Sequence, residues 1–177
     1  MLTKRLPWLP GAITAGLALL LDQGTKALVN SRLPLYDSIP VIGHVVRITH
    51  TRNPGIAFGV SFGILSGWFL TAVTVCGVVA ITIYLVRQSP LGWRRSVMMG
   101  LILGGAIGNL IDRLRWGEVV DFLDIGLARY RWPVFNVADS VVVVGVVLLL
   151  LIEHAEARES ETGEKPADSS PRASVGP

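Results

Sequence analysis

The sequence predicts an all-α membrane protein: a bundle of four transmembrane helices with a small β element. Two observations carry that reading. Hydrophobic residues make up 51% of the 177 residues and charged residues only 16%, whereas a soluble domain carries about 25% charged residues. The apolar residues also gather in long blocks, and mean hydropathy is +0.54.

The blocks are Leu6–Leu21, Phe58–Val86, Ser96–Ile111 and Ser140–Ile152. Lys4 and Arg5 before the first imitate a secretory signal, but no small-x-small cleavage site follows. It is therefore read as a retained first helix, spanning about residues 7–28. The second block is long enough to cross the hydrocarbon core, which takes ~20 residues, and gives a span at about 62–86. The third and fourth are short, so spans at about 96–114 and 136–153 must carry Asp112 and Asp139 to the bilayer edge, as the first carries Asp22. Ionisable groups at that depth are costly, and they mark functional sites with partners.

The connections come next. A strand-rich stretch, Val41–Thr51, places a β element within residues 30–60. Residues 114–135 read as a loop joining helices three and four. The membrane domain then covers 1–152. The tail 153–177, with six acidic residues and no apolar run, reads as disordered. Trp8 and Trp93 would lie at one interface, and Trp68, Trp116 and Trp132 at the other. Gly100, Gly104 and Gly108, four apart, form a seam for close helix contact, and Asp112 continues that row. With four spans, the embedded ends bearing Asp22, Asp112 and Asp139 share one face. The basic flanks Lys4, Arg5, Arg87, Arg94 and Arg95 favour the other side as cytoplasmic.

Net charge is +3, but no basic face runs along one element, so no nucleic-acid partner is expected. Cys76 lies in an uncharged stretch and reads as packing. His44, His50 and His154 lack metal-ligand spacing, and no metal or cofactor is expected. Gly63-Ile64-Leu65-Ser66-Gly67 has one residue too many for a serine-protease motif.

What remains is carboxylates with amide partners. Asp22 and Lys26 stand at i and i+4, Asn109 and Asp112 at i and i+3 beside Arg113, and Asn136 and Asp139 at i and i+3. Asp121 sits between apolar neighbours, with Asp124 three residues on. Two carboxyls close together at low dielectric share a proton and titrate as a unit. Such a pair can activate water and protonate a carbonyl oxygen, with amides such as Asn109 and Asn136 fixing it. A helix-end Asp can also be a simple cap. Intramembrane carboxylates equally suit a proton-coupled transporter or channel, and a non-catalytic lipid-binding protein is a further alternative. These considerations do not choose between Asp121 and Asp124.

Five motifs in order, Asp22-Gln23-Gly24-Thr25-Lys26, Asn53-Pro54-Gly55-Ile56-Ala57-Phe58, Gly104 to Arg113, Val119-Val120-Asp121-Phe122 and Phe135-Asn136-Val137-Ala138-Asp139, resemble the lipoprotein signal peptidase (signal peptidase II) family. The resemblance implies an aspartyl endopeptidase of the bacterial inner membrane, and a monomer is expected. Both termini would be cytoplasmic and the site near the outer surface. Its partners would be membrane lipids and diacylglyceryl-modified prolipoproteins, cut just before the lipidated cysteine. It implies Asp121 and Asp139 as the catalytic pair, leaving Asp124 outside the motif. Asp22, Lys26, Asn53, Gly55, Asn109, Asp112, Arg113 and Asn136 become binding or supporting residues. It also implies an extracytoplasmic β-cradle and a short surface helix in the 30–57 connection. Gly55 would let substrate backbone approach closely.

Overall fold

The computed structural model describes residues 8–55, 65–87 and 92–163. Lys4 and Arg5, the Ile56-Ala57-Phe58 part of the second motif, Gly63 and Ile64, and the tail beyond Gly163 lie outside these residues. Four helices, α1 (Leu9–Arg32), α2 (Leu65–Arg87), α3 (Trp93–Trp116) and α4 (Val137–Gly163), are each long and apolar enough to cross a membrane. Their stops follow local chemistry. Pro34 drives Leu33 into extended backbone and ends α1. Gly117, at φ +73°, closes α3 in a left-handed cap with its N–H donating to the Arg113 carbonyl.

Large apolar side chains cover the outside of the bundle, among them Leu17, Leu20, Trp68, Phe69 and Leu150. In water such a surface would aggregate; against acyl chains it is solvated. This is a multi-pass membrane protein.

α3 is the central helix and packs on α1, α2 and α4, while α1 also touches α4. Glycine explains how. A Cβ at Gly104 would stand 2.5 Å from the Ala15 carbonyl oxygen, and Gly100 abuts Gly11. The row thus seats α3 on α1, as the spacing of four predicts. Gly105, one residue out of that row, does the same for α4: a Cβ there would fall 2.5 Å from the Ala138 carbonyl oxygen.

A β-sheet caps the end of the bundle where α1 and α3 finish and α4 begins. It corrects two readings of the sequence. The chain is not all-α, and the 114–135 connection is not a loop. Strands β1 (Ser38–Ile42), β2 (Val46–Asn53), β3 (Val119–Leu127) and β4 (Tyr130–Arg131) form one antiparallel sheet in the order β1-β2-β3-β4. β3 pairs with a strand more than sixty residues earlier, a partner that no local pattern reveals. Between the pairs Ile48–Leu123 and Thr51–Asp121 the register shifts, with two β2 residues facing one of β3. Such a bulge re-aims side chains at a strand end. Phe122 packs with Val29 and Leu33, and Ile48, Leu123 and Val137 surround them, so the sheet is bolted to α1 and α4. His50 adds to this by donating from Nδ1 to the Leu33 carbonyl at 2.8 Å. No short surface helix occurs between residues 33 and 55.

The tail boundary also moves. Helix α4 continues ten residues past Glu153 to Gly163 instead of ending there. Ala, Glu and Arg are good helix formers, and Arg95 of α3 holds both Glu153 (2.9 Å) and Glu156 on this extension.

Candidate active site

Beneath the sheet lies a buried polar cluster built on three helix ends. Lys26 is at its centre, 3% exposed, and its three N–H donors are all used. They reach Asp22 Oδ2 at 2.8 Å, Asp112 Oδ2 at 2.9 Å and Asn109 Oδ1 at 2.9 Å. The i, i+4 spacing puts Asp22 and Lys26 on one face of α1, and the glycine row turns Asp112 of α3 toward them.

The two carboxylates are fully buried, and each takes a backbone N–H from the residue just before another aspartate. Asp22 Oδ1 accepts from Ala138 at 2.9 Å, next to Asp139. Asp112 Oδ2 accepts from Val120 at 3.2 Å, next to Asp121. Gln23 Nε2 spans both, at 3.2 Å from Asp22, 3.0 Å from Asp112 and 3.2 Å from the Gly108 carbonyl. Gly108 permits this approach, because a Cβ there would stand 2.5 Å from Asp22 Oδ2. Two negative charges thus meet one ammonium and three neutral donors, and every carboxylate oxygen is paired.

Asn136 is the hub of the second layer. It is the N-cap of α4: its Oδ1 accepts the Asp139 N–H at 2.9 Å, and its own N–H donates to Asp139 Oδ2 at 3.3 Å. This is a reciprocal capping box with Asp in the third helical position. The same side chain donates from Nδ2 to Asp121 Oδ1 at 2.7 Å, with Asn109 Oδ1 and the Val120 carbonyl also in reach at 3.1 and 3.3 Å. Asn109 Nδ2 donates to Asp139 Oδ1 at 2.8 Å. Asn53 Nδ2 donates to Asp121 Oδ2 at 3.1 Å. Asp121 and Asp139 are therefore held by three asparagines from β2, α3 and the start of α4.

The sequence-predicted residues thus converge, with two qualifications. Arg113 is half-buried, and its charge acts on Asp139, Asp121 and Asp112. Gly55 enters indirectly. At φ +113°, it turns its N–H onto Asn53 Oδ1 at 2.9 Å, which orients the amide facing Asp121. Asp124, three residues along the same strand, projects the other way. It pairs with Arg131 Nε at 2.5 Å and accepts from Thr49 at 2.9 Å. Gln23 is a site residue that the sequence does not announce; its place one residue after Asp22 gives no sign that it reaches across to α3.

Asp121 is 3% exposed. Burial first, and then the neighbouring charge of Asp139, push its carboxyl up to about 7, against the donors Asn53 and Asn136. Among the described residues, no group of three or more His, Cys, Asp or Glu side chains is arranged to hold a metal ion.

The family model for signal peptidase (SPase) II matches residues 14–154. A lipoprotein signal peptidase of Syntrophus aciditrophicus is 46% identical over 142 residues, 78% of this chain and 88% of that protein. One of Geobacter sulfurreducens is 46% identical over 135 residues, 75% and 83% of the two chains. A bacterial membrane enzyme solved by the in meso method at 2.3 Å superposes with a TM-score of 0.73 at 31% identity, covering 90% of this chain and 93% of the other. Helices, buried carboxylates and relatives agree, and the chain belongs to the signal peptidase II family.

Proposed function

We propose that this protein is an aspartic endopeptidase that removes the signal peptide from lipid-modified prolipoproteins, with Asp121 and Asp139 as the catalytic pair. The proteolytic function and the lipoprotein substrate follow from the family. The aspartic mechanism and its residues are our reading of the site, and one observation carries it: Asp121 and Asp139 are gripped by a common set of asparagines, with the Asp121 carboxyl raised to about 7.

Near neutral pH the pair holds one proton between them. The ionised member takes a proton from a water molecule, which attacks the scissile carbonyl carbon. The protonated member donates to the carbonyl oxygen, giving a tetrahedral diol. Proton return to the leaving nitrogen then breaks the C–N bond. Asn53, Asn109 and Asn136 keep the carboxyls oriented. Asp22, Asp112 and Lys26 set their separation through the backbone at Ala138 and Val120. Arg113 supplies positive charge beside the pair, and Gly55 orients Asn53.

The chemistry suits a membrane substrate. A signal peptide is itself an apolar helix, and its cleavage site emerges near the membrane surface. We place this surface outside the cytoplasmic membrane of a bacterium, with both termini inside and the β-cradle over the scissile bond, in a protein acting as a monomer. The relatives lend no support to proton-coupled transport.

The test is cleavage of a lipidated prolipoprotein by purified protein. Asp121→Asn and Asp139→Asn should each lower the rate by about a thousandfold or more, within the upper range for acid–base groups, while Asp124→Asn stays within about threefold of wild type. Substantial turnover by either dyad variant would remove the assignment.

A further inference from the structure

At the end of the bundle remote from the aspartates, α3 and α4 leave an apolar groove of about 350 Å³ between them, open to the membrane. Its floor is Met98 with Leu148, Leu151 and Ile152, continuing to Ala155. From Leu148 to Ala155 the α4 wall runs ~10 Å at 1.5 Å per residue along the helix axis. One cation stands at its mouth, Arg94. The mouth is also marked by Trp93, 65% exposed and in contact with the Arg94 guanidinium at 5.7 Å, as befits a residue at headgroup depth.

The two adjacent arginines differ in what they meet. Arg95 is committed to Glu153 and Glu156, so Glu156, the one acidic residue lining the groove, is already paired. Arg94, exposed beside it, has no carboxylate partner among the described residues. An apolar trough with an unpaired guanidinium at headgroup level matches one chemistry: an acyl chain below and a phosphate above. The first turn of α3 has no acidic residue, and its N-cap Gly92 offers no side chain, so negative charge is favoured there as well.

We propose that this groove is a specific site for an anionic phospholipid, one acyl chain lying over Leu148, Leu151 and Ile152 and the phosphate paired with Arg94. A zwitterionic lipid has the same tails and phosphate, but its own ammonium competes for that phosphate. Selectivity therefore rests on net headgroup charge. The proposal does not depend on the catalytic reading, since no residue of the aspartate cluster takes part.

Native mass spectrometry of the delipidated full chain tests it, with equimolar phosphatidylglycerol and phosphatidylcholine of matched chains. One phosphatidylglycerol per chain should be retained, at least about fivefold over phosphatidylcholine, since ~1 kcal/mol of selectivity corresponds to that ratio. Arg94→Gln should erase the selectivity. Ala155→Trp, which fills the groove, should lower occupancy by both lipids. Arg87→Gln, at the end of α2, should leave binding as in the wild type. Thermal melting checks that each variant is folded. Equal retention of the two lipids, retention of neither, wild-type binding in Arg94→Gln or Ala155→Trp, or loss in Arg87→Gln overturns the proposal.

Discussion

The two ends of the helical bundle treat charge in opposite ways. At the sheet end, Asp22 and Asp112 are fully buried and Lys26 is 3% exposed. At the other end, Arg95, Glu153 and Glu156 pair in the open, with side chains 31%, 50% and 53% exposed. A buried ion cluster gains little net stability over a well-packed apolar one, because desolvation offsets the attraction. Its position needs another reason. Here the carboxylates grip the Ala138 and Val120 amides, so the cluster converts costly burial into a fixed placement of Asp139 and Asp121. The far end only tethers two helices.

Removing one cation from each end exposes the difference most sharply. Lys26→Met leaves two buried carboxylates uncompensated and should cost roughly 3–5 kcal/mol by denaturant unfolding in micelles, with loss of cleavage. Arg95→Met should cost less than about 1 kcal/mol and leave cleavage intact. Comparable losses would mean that the ends do not differ as described. Glycines give a second contrast. Gly105→Ala drives a methyl into the Ala138 backbone and should cost about 1–3 kcal/mol while displacing Asp139. Gly24→Ala on the exposed face of α1 meets nothing within 4 Å and should be neutral or stabilising by up to about 1 kcal/mol.

A third test uses pH. The folded state holds the Asp121 carboxyl near 7, above its ordinary 3.8. The folded protein therefore binds the proton more tightly than the unfolded chain does. Its relative stability is greatest below about pH 4 and is lost as pH rises through about 7. Asp121→Asn should accordingly melt higher than the wild type near pH 8, with the gap closing near pH 4. Cleavage by the wild type should decline above about pH 7 as the shared proton leaves. A pH-independent gap in melting temperature would contradict the burial assigned to Asp121. Among the aspartates, the smallest effect on cleavage is expected at Asp124, whose replacement by Asn weakens its pair with Arg131 on the opposite face of β3 at a cost of about 1–3 kcal/mol in stability.

The helices and most of the polar cluster were legible in the sequence because each left a local mark. Apolar blocks gave the spans, and the row from Gly100 to Asp112 aimed a carboxylate inward. β3 left no such mark. Val119 to Asp124 is buried on both faces except at Leu123, so no alternation of apolar and polar residues announces a strand. Without the strand, Asp121 and Asp124 look equivalent. Once it is known, their odd separation puts them on opposite faces, and Arg131 claims one of them. Gln23 was invisible for a similar reason: its partners lie 85 and 89 residues away. The end of α4 is not legible because its acidic residues suggest disorder, while Arg95, far upstream, anchors Glu153 and Glu156 as helix.

Asn136 has a consequence for when the protein becomes active. It starts α4, the last helix among the described residues, and the same side chain that caps that helix also holds Asp121. Synthesis proceeds from the N-terminus, so three spans and all four strands precede this residue. Until the fourth helix inserts and docks, Asp121 lacks its shortest hydrogen bond and its partner aspartate is absent. If Asp121 and Asp139 are the catalytic pair, as proposed, the nascent chain is inert beside its own apolar segments, and completion of the bundle is the event that arms it.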